Sequence, residues 1–288
     1  MAPVRVVTDG DAYLDPTWTR DLDITVVPLT VQVGDEVYQD RDGSRNEELL
    51  DRMARERVRP MVIGPTVEEL RRVYARLSRT TDTILSIHSS GPLSPIVQNA
   101  QIAATAFLGR CDIMVMDSQC TSVGLGILVR EAARLARTGH SLGQIVRHIR
   151  GMITHIYVVM FTESLDYLER SGRISQSQSI LGKMLGIRPF LAIEEGEIIP
   201  MEKVRNREKG LDKLVEFAAE FLRIQEMTIL QPVSYPTNET AVLQERLGAL
   251  FPKIAPFPIL VYGPVLASHV GPDGVGLIVY EGMNGDYE

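Results

Sequence analysis

Three short stretches of this 288-residue chain gather side chains able to bind or transform a small molecule. Ser89-Ser90-Gly91 sets two hydroxyls and a glycine directly after an apolar run and just before a helical pattern. Hydroxyls and backbone N–H groups in such a turn can meet an anion, and serines there can equally cap the local backbone. His269-Val270-Gly271-Pro272-Asp273-Gly274 reads as a glycine-rich turn between two strand-like runs. Its histidine either donates to a carboxylate or is a satisfied structural residue. Ser171-Gly172-Arg173-Ile174 places an arginine just past a helix, either solvated or capping that helix. Ser90, His269 and Asp9 are also the residue types of a serine hydrolase, should the fold bring them to one cleft.

Other chemistries lack their residues. Gly124-Leu125-Gly126 has no third glycine and sits in a helical stretch, and no GxxxxGK followed by Ser or Thr occurs, so no nucleotide loop is expected. The five histidines (88, 140, 148, 155 and 269) are scattered, without the clustered ligands of a metal site. A GxSxG nucleophile elbow is missing too. Cys111 and Cys120 are too far apart for a CxxC redox pair and too few for zinc, which leaves two buried, reduced thiols. Neither a metal nor a cofactor is expected. Thirty basic against 37 acidic residues give a net charge of −7 with no basic run, which argues against nucleic acid as a partner. No apolar stretch approaches the roughly 18–20 residues of a membrane span. Met1-Ala2-Pro3-Val4-Arg5 enters a strand rather than a secretory segment, so a cytoplasmic protein without integral membrane association is expected.

The elements that must position the candidate residues follow from hydrophobic period. Val4 to Thr8 reads as a buried strand ending in Asp9-Gly10. Ile24 to Val33 is extended and turns back at Gly34-Asp35 toward Val37 and Tyr38 as a hairpin. Ser44-x-x-Glu47 and Thr66-x-x-Glu69 are capping boxes that open helices. Thr83 to His88 and Ile113 to Met116 are strands, followed by helices near Val97 to Leu108 and Ser122 to Ala136. Strand, loop and helix in repetition predict a parallel sheet covered on both faces, with ligands outside the carboxyl ends of the strands. Past a helix at Leu142 to Met152 the pattern changes. Phe190 to Ile193 and Ile198 to Met201 flank Glu194-Glu195-Gly196-Glu197 as a hairpin, and strands at Ile156, Thr228, Ile259 and Val275 alternate with helices at Glu208 to Leu222 and Glu239 to Leu247. The expectation is an α/β protein of two domains. Residues 1–153 form a three-layer α/β/α parallel-sheet domain, and residues 154–288 a two-layer mixed sheet with helices. An apolar content of 44% and a charged content of 23% suit two folded domains of roughly 100–200 residues each.

An ordered set of segments resembles the DegV family of fatty-acid-binding proteins over nearly the whole length. They are Val7-Thr8-Asp9, Ile24-Thr25-Val26-Val27-Pro28-Leu29-Thr30-Val31, Ser86-Ile87-His88, Leu93-Ser94, Gln98-Asn99-Ala100 and Asp117-Ser118. Gly124-Leu125-Gly126, Tyr167-Leu168-Glu169-Arg170-Ser171-Gly172-Arg173-Ile174, Leu185-Gly186-Ile187-Arg188-Pro189 and His269-Val270-Gly271-Pro272 follow in order. The resemblance implies two α/β domains with a fatty acid in a pocket at their interface, its tail in an apolar tunnel. It further implies a non-enzymatic carrier that presents the acid to a separate fatty acid kinase. Burial of a long acyl chain would contribute roughly 10 kcal/mol before association costs, and the head group then needs donors.

Through the resemblance, Ser90, His269, Ser89, Gly91, Val62, Ile63, Gly10 and Gly271 become the expected ligand-binding positions, and Arg173 the partner-binding one. The chain departs from the family pattern at the head-group end. Val62-Ile63-Gly64-Pro65 stands where the family carries Thr-Ser-Gln-Pro, Gly91 where it carries a second serine, and Asp9-Gly10 where it carries Asp-Ser. The ligand is then a fatty acid held by Ser89, His269 and backbone amides, or a more neutral lipid such as an ester or alcohol. A partly closed pocket on an interaction subunit is a further reading. Asp9 is read as an acceptor of backbone N–H groups that orders its loop, because an ionised carboxylate would repel a bound one.

Overall fold

The computed structural model describes residues 3–176, 178, 182 and 184–283. The chain divides into two compact units. The first joins the chain up to Ser44 with Met61–Thr154, and the second joins Arg45–Pro60 with the chain from His155 onward. A single division near residue 153 therefore lacks one excursion: residues 45–60 leave the first unit.

In the first unit, β1 (Arg5–Asp9) leads through a 3-10 turn at Gly10–Ala12 to α1 (Pro16–Asp21) and β2 (Thr25–Val27). β3 (Leu29–Val33) and β4 (Glu36–Asp40) follow, then α2 (Asn46–Glu56) of the other unit, then β5 (Pro60–Gly64) and α3 (Val67–Leu77). β6 (Thr83–His88), α4 (Ile96–Ala104), β7 (Asp112–Asp117), α5 (Ser122–Arg137) and α6 (Leu142–Ile153) complete it. The main sheet has the order β2-β1-β6-β7 and is parallel throughout. Its strands are apolar runs because helices cover both faces. Val7, Val27 and Ile84 pack with Leu70, Tyr74, Ala100, Ala103 and Phe107 from α3, α4 and the turn after α4. Val6, Leu85 and Ile87 alternate to the opposite face and are equally buried, where α5 and α6 meet β1 and β6.

The run Ile24 to Val33 is not one strand. It breaks at Pro28, which lacks the N–H that a continuing ladder needs. β2 then joins the parallel sheet, whereas β3 turns at Gly34-Asp35 to pair antiparallel with β4 in a separate sheet of order β4-β3-β5. Thr66 and Glu69 form the expected capping box on α3. Ser44 does not cap α2. Its N–H donates to Asp42 Oδ1 at 3.0 Å, and Arg45 stands at the N-cap, where its side chain pairs with Glu48 instead of capping.

The second unit contains β8 (Ile156–Phe161), α7 (Asp166–Arg170), β9 (Arg188–Glu194), β10 (Glu197–Val204), α8 (Arg207–Ala219) and β11 (Glu226–Gln231). α9 (Asn238–Leu250), β12 (Ile259–Val261), α10 (Pro264–Val270) and β13 (Val275–Tyr280) follow. The sheet runs β10-β9-β8-β13-β11-β12, antiparallel except where β12 lies parallel to β11. Val159, Phe161, Phe190, Leu277 and Val279 form its core with Leu214, Ala218, Leu243 and Leu247 of α8 and α9. This is the expected mixed sheet layered with helices. α2 belongs here because its start is hydrogen-bonded here: Asn46 Nδ2 donates to Val261 O at 2.9 Å, and Glu47 Oε2 accepts from Ser234 N at 3.2 Å.

Candidate ligand site

β1 connects to β2 on one side, whereas β6 and β7 lie on its other side, so the direction of winding reverses between β1 and β6. The carboxyl ends of strands at such a reversal are the usual ligand position of an open α/β sheet. Asp9 and His88 end these two strands, and both are fully buried. Asp9 Oδ1 accepts from Asp11 N (3.1 Å), and Oδ2 accepts from Ser89 N (3.0 Å) and from His88 Nδ1 (3.0 Å). Ser89 Oγ lies 3.3 and 3.4 Å from the two carboxylate oxygens. Asp9 thus orders its own loop and the start of the Ser89-Ser90-Gly91 turn together.

A chain of buried donors leads to this carboxylate. Tyr74 O–H donates to Ser86 Oγ (2.8 Å), and Ser86 Oγ is 2.8 Å from His88 Nε2. A hydroxyl has one hydrogen, so Ser86 donates to Nε2 and His88 donates from Nδ1 to Asp9. Burial, partly offset by the Ser86 bond, pushes the Tyr74 phenol up to about 12. The arrangement has the order of a serine–histidine–aspartate triad, yet Ser86 is 0% exposed and offers no surface to a substrate. The histidine that Asp9 orients is His88.

Ser90 N donates to Cys120 O (2.8 Å), and Ser90 O accepts from Leu93 N and Ser94 N, which turns the chain toward α4. Gly91 N donates to Asp117 Oδ2 (3.1 Å), and Ser118 N to His88 O (3.0 Å), so the turn is tied to the end of β7. Ser89 and Ser90 are buried and Gly91 is half-buried. Val62 and Ile63 lie half-buried on β5. The departures at Gly10 and Gly91 have steric causes. A Cβ at Gly10 would collide with the Asp40 carbonyl oxygen, and one at Gly91 would lie 2.9 Å from Asp117 Oδ2.

Asp11, inside the 3-10 turn, accepts from Thr121 Oγ1 (2.5 Å) and Ser122 N (3.0 Å) through Oδ2. Burial, and then the neighbouring Asp9 carboxyl, hold its acid well above the usual carboxylate range. The folded state therefore keeps this proton at pH values where the unfolded chain has lost it. Stability falls as pH rises above the unfolded value of about 3.9, until the folded value is passed. Asp11→Asn removes this titration. Urea midpoints measured from pH 4 upward should show the variant gaining on the wild type as pH rises; parallel curves would contradict the shift.

His269 lies not in a turn but in the last turn of α10, where it is 7% exposed. Pro264 at the first helical position and Gly271 just past the end bound this short helix. Gly271 has φ of +88°, and a Cβ there would lie 2.6 Å from Tyr167 Cδ2, so glycine is required on both counts. The fully buried Tyr262 hydroxyl donates to Gly271 O and accepts from Gly274 N, both at 2.9 Å. Thr162 Oγ1 is 2.8 Å from Val270 O and 2.6 Å from Asp273 Oδ1. Arg207 binds Glu239 through two nitrogens, reaches Glu163 and Asp273 O at 3.2 Å each, and stands over the Phe161 ring. The segment after His269 is therefore held from several sides.

Arg173 N donates to Leu168 O (2.8 Å), which closes α7 through Gly172 in the left-handed region. Its side chain is 15% exposed, and Nη1 lies 3.3 Å from Glu197 Oε2. The arginine is thus ion-paired to β10 rather than free in solvent. Among the described residues no group of three or more His, Cys, Asp or Glu side chains is placed to hold a metal ion. No helix among them is long and apolar enough to cross a membrane.

Residues 3–282 match the family model described as "Uncharacterised protein, DegV family". The chain belongs to the DegV family. A DegV domain-containing protein of Deinococcus radiodurans is 30% identical over 277 residues, which cover 95% of this chain and 97% of that one. Among solved structures, the fatty acid-binding DegV family protein of Thermus thermophilus shares 28% identity, with a TM-score of 0.82 over 97% of this chain and 99% of that one. The fatty acid-binding DegV family protein of Streptococcus agalactiae shares 25% identity and a TM-score of 0.85, covering 98% and 100% of the two chains. The resemblance drawn from ordered motifs thus extends to the DegV fold as a whole. Tyr262 and Thr162 are residues of this DegV-family chain that sequence reasoning passed over, and His88 was read only as part of a family segment and a strand end. The Asp9 partner of His88 and the partners of Thr162 are distant in sequence, and those of Tyr262 lie across a helix that the sequence did not reveal.

Proposed function

We propose that this DegV-family chain is a lipid carrier that binds a long-chain fatty acid and catalyses no reaction on it. The observation that carries this reading is the near end-to-end likeness to the fatty acid-binding protein of T. thermophilus. Ser89 and Ser90, on the strand-end turn of the first unit, and separately His269, on α10 of the second, are the head-group positions of this reading. Within the second unit, a hollow of about 290 Å³ has an apolar side of Leu165, Ile174, Ile187, Pro189 and Pro200 that suits a hydrocarbon tail, with Gln178, Glu202 and Lys203 also lining it. The hydrolase reading has less support, because the serine that a histidine and aspartate orient is the sealed Ser86. Arg173 is the contact through which the loaded protein would meet a fatty acid kinase in the cytoplasm.

Organic extracts of the purified protein, analysed by mass spectrometry, test the carrier directly. A long-chain fatty acid near one equivalent is expected, together with saturable rebinding. An ester or alcohol instead would reassign the ligand, and an empty extract without saturable binding would end the reading. The hollow makes its own prediction. Leu165→Trp should weaken stearate binding about tenfold, the value of about two lost methylene burials, and affect octanoate much less. Equal losses for both acids would place the tail elsewhere.

A further inference from the structure

We infer that Arg59 is a positioning residue that couples the helix bearing His269 to the loop bearing Arg173. It rests on the carrier reading for the roles of those two residues, and on geometry for the link. Arg59 follows α2 in the segment that joins the second unit. Its Nε donates to Ser268 O at 2.8 Å, and its Nη1 to Arg170 O at 3.2 Å. Ser268 directly precedes His269, and Arg170 opens the Ser171-Gly172-Arg173 loop.

Both acceptors lie in the final turn of a helix, where carbonyls lack intrahelical partners and the helix dipole favours a cation. Each end has a nearly complete set of other donors. In α10, Ala267 O takes Gly271 N and Val270 O takes Thr162 Oγ1, with Ser268 O left to Arg59. In α7, Tyr167 O takes Ser171 N, Leu168 O takes Arg173 N and Glu169 O takes Gly172 N, with Arg170 O left to Arg59. One side chain thus supplies the donor for a carbonyl at each of two helix ends. Among the described residues no carboxylate is ion-paired with Arg59, and burial, then the neighbouring Arg170 cation, disfavour its charge. The two carbonyls hold it in place. A planar fork can span two acceptors in fixed directions, whereas a lysine ammonium on a flexible stem cannot.

The link is tested in the full chain by two measurements. The ring signals of His269 in 15N-edited NMR spectra of the ligand-free protein should shift on Arg173→Ala. The same substitution in an Arg59→Gln or Arg59→Lys background should leave them unmoved. Stearate should also slow amide exchange at residues 170–174 at least severalfold in the wild type, and not in either Arg59 variant. Arg59→Lys keeps the charge and one carbonyl contact, so it guards against simple unfolding of Arg59→Gln. A His269 response to Arg173→Ala that persists without Arg59 overturns the inference. Failure of the wild type to bind stearate removes the carrier reading, and the ligand-free measurement still decides the role of Arg59.

Discussion

Asp9→Ala is expected to destabilise the protein by about 3–5 kcal/mol, the cost of removing one partner from a buried polar cluster. The substitution leaves His88 Nδ1–H, Ser89 N–H and Asp11 N–H without their acceptor. All three residues are 0% exposed, so water cannot replace the carboxylate without disrupting the strand ends. Asp9→Asn should cost less, because its carbonyl oxygen still accepts one or two of these bonds while its amide faces donors. Urea unfolding gives both numbers from the midpoint and slope. A loss below about 1 kcal/mol for Asp9→Ala would mean that the strand ends relax around the gap. Because Ser89 begins the turn that carries Ser90 and Gly91, saturable fatty acid binding should weaken along with stability.

The same cluster shows what the sequence could and could not reveal. β1 and β6 were legible because strands buried on both faces read as apolar runs, β7 by its apolar Ile113 to Met116, and the Thr66 capping box because it is purely local. The Asp9–His88 contact spans residues 79 apart in the chain, a pairing that no local pattern encodes. α10 was hidden for another reason. Its buried side chains from Pro264 to Val270 show no helical periodicity, so only Pro264 and Gly271 marked its ends. The family motifs supplied the fold and the proposed site positions, whereas the reasons for Gly10 and Gly91 appear only once Asp40 O and Asp117 Oδ2 are placed beside them.

Tyr262→Phe should cost about 2–4 kcal/mol although it removes a single oxygen. The ring is fully buried, and its hydroxyl bridges Gly271 O and Gly274 N. Without it both backbone groups are left unpaired in the interior, at about 1–3 kcal/mol each. Burial has also pushed this phenol far above its usual value, so no loss of the donor is expected across ordinary pH. The bridge secures the segment immediately after His269, and a looser segment should release fatty acid faster at an unchanged association rate. Stopped-flow dissociation separates this from a general loss of fold. An unchanged off-rate would show that Thr162 and Arg207 hold the turn unaided.

The excursion of residues 45–60 sets an order of events during synthesis. A ribosome delivers α2 well before β8 to β13 exist, so its apolar side chains Leu49, Leu50 and Met53, buried in the finished protein, have no surface to cover. The nascent first unit must tolerate an unfinished strap between β4 and β5 until its partners around Ser234 and Val261 emerge. Truncated polypeptides that begin at residue 155 lack this strap from the outset, and supplying the missing stretch as a separate peptide is the natural complementation.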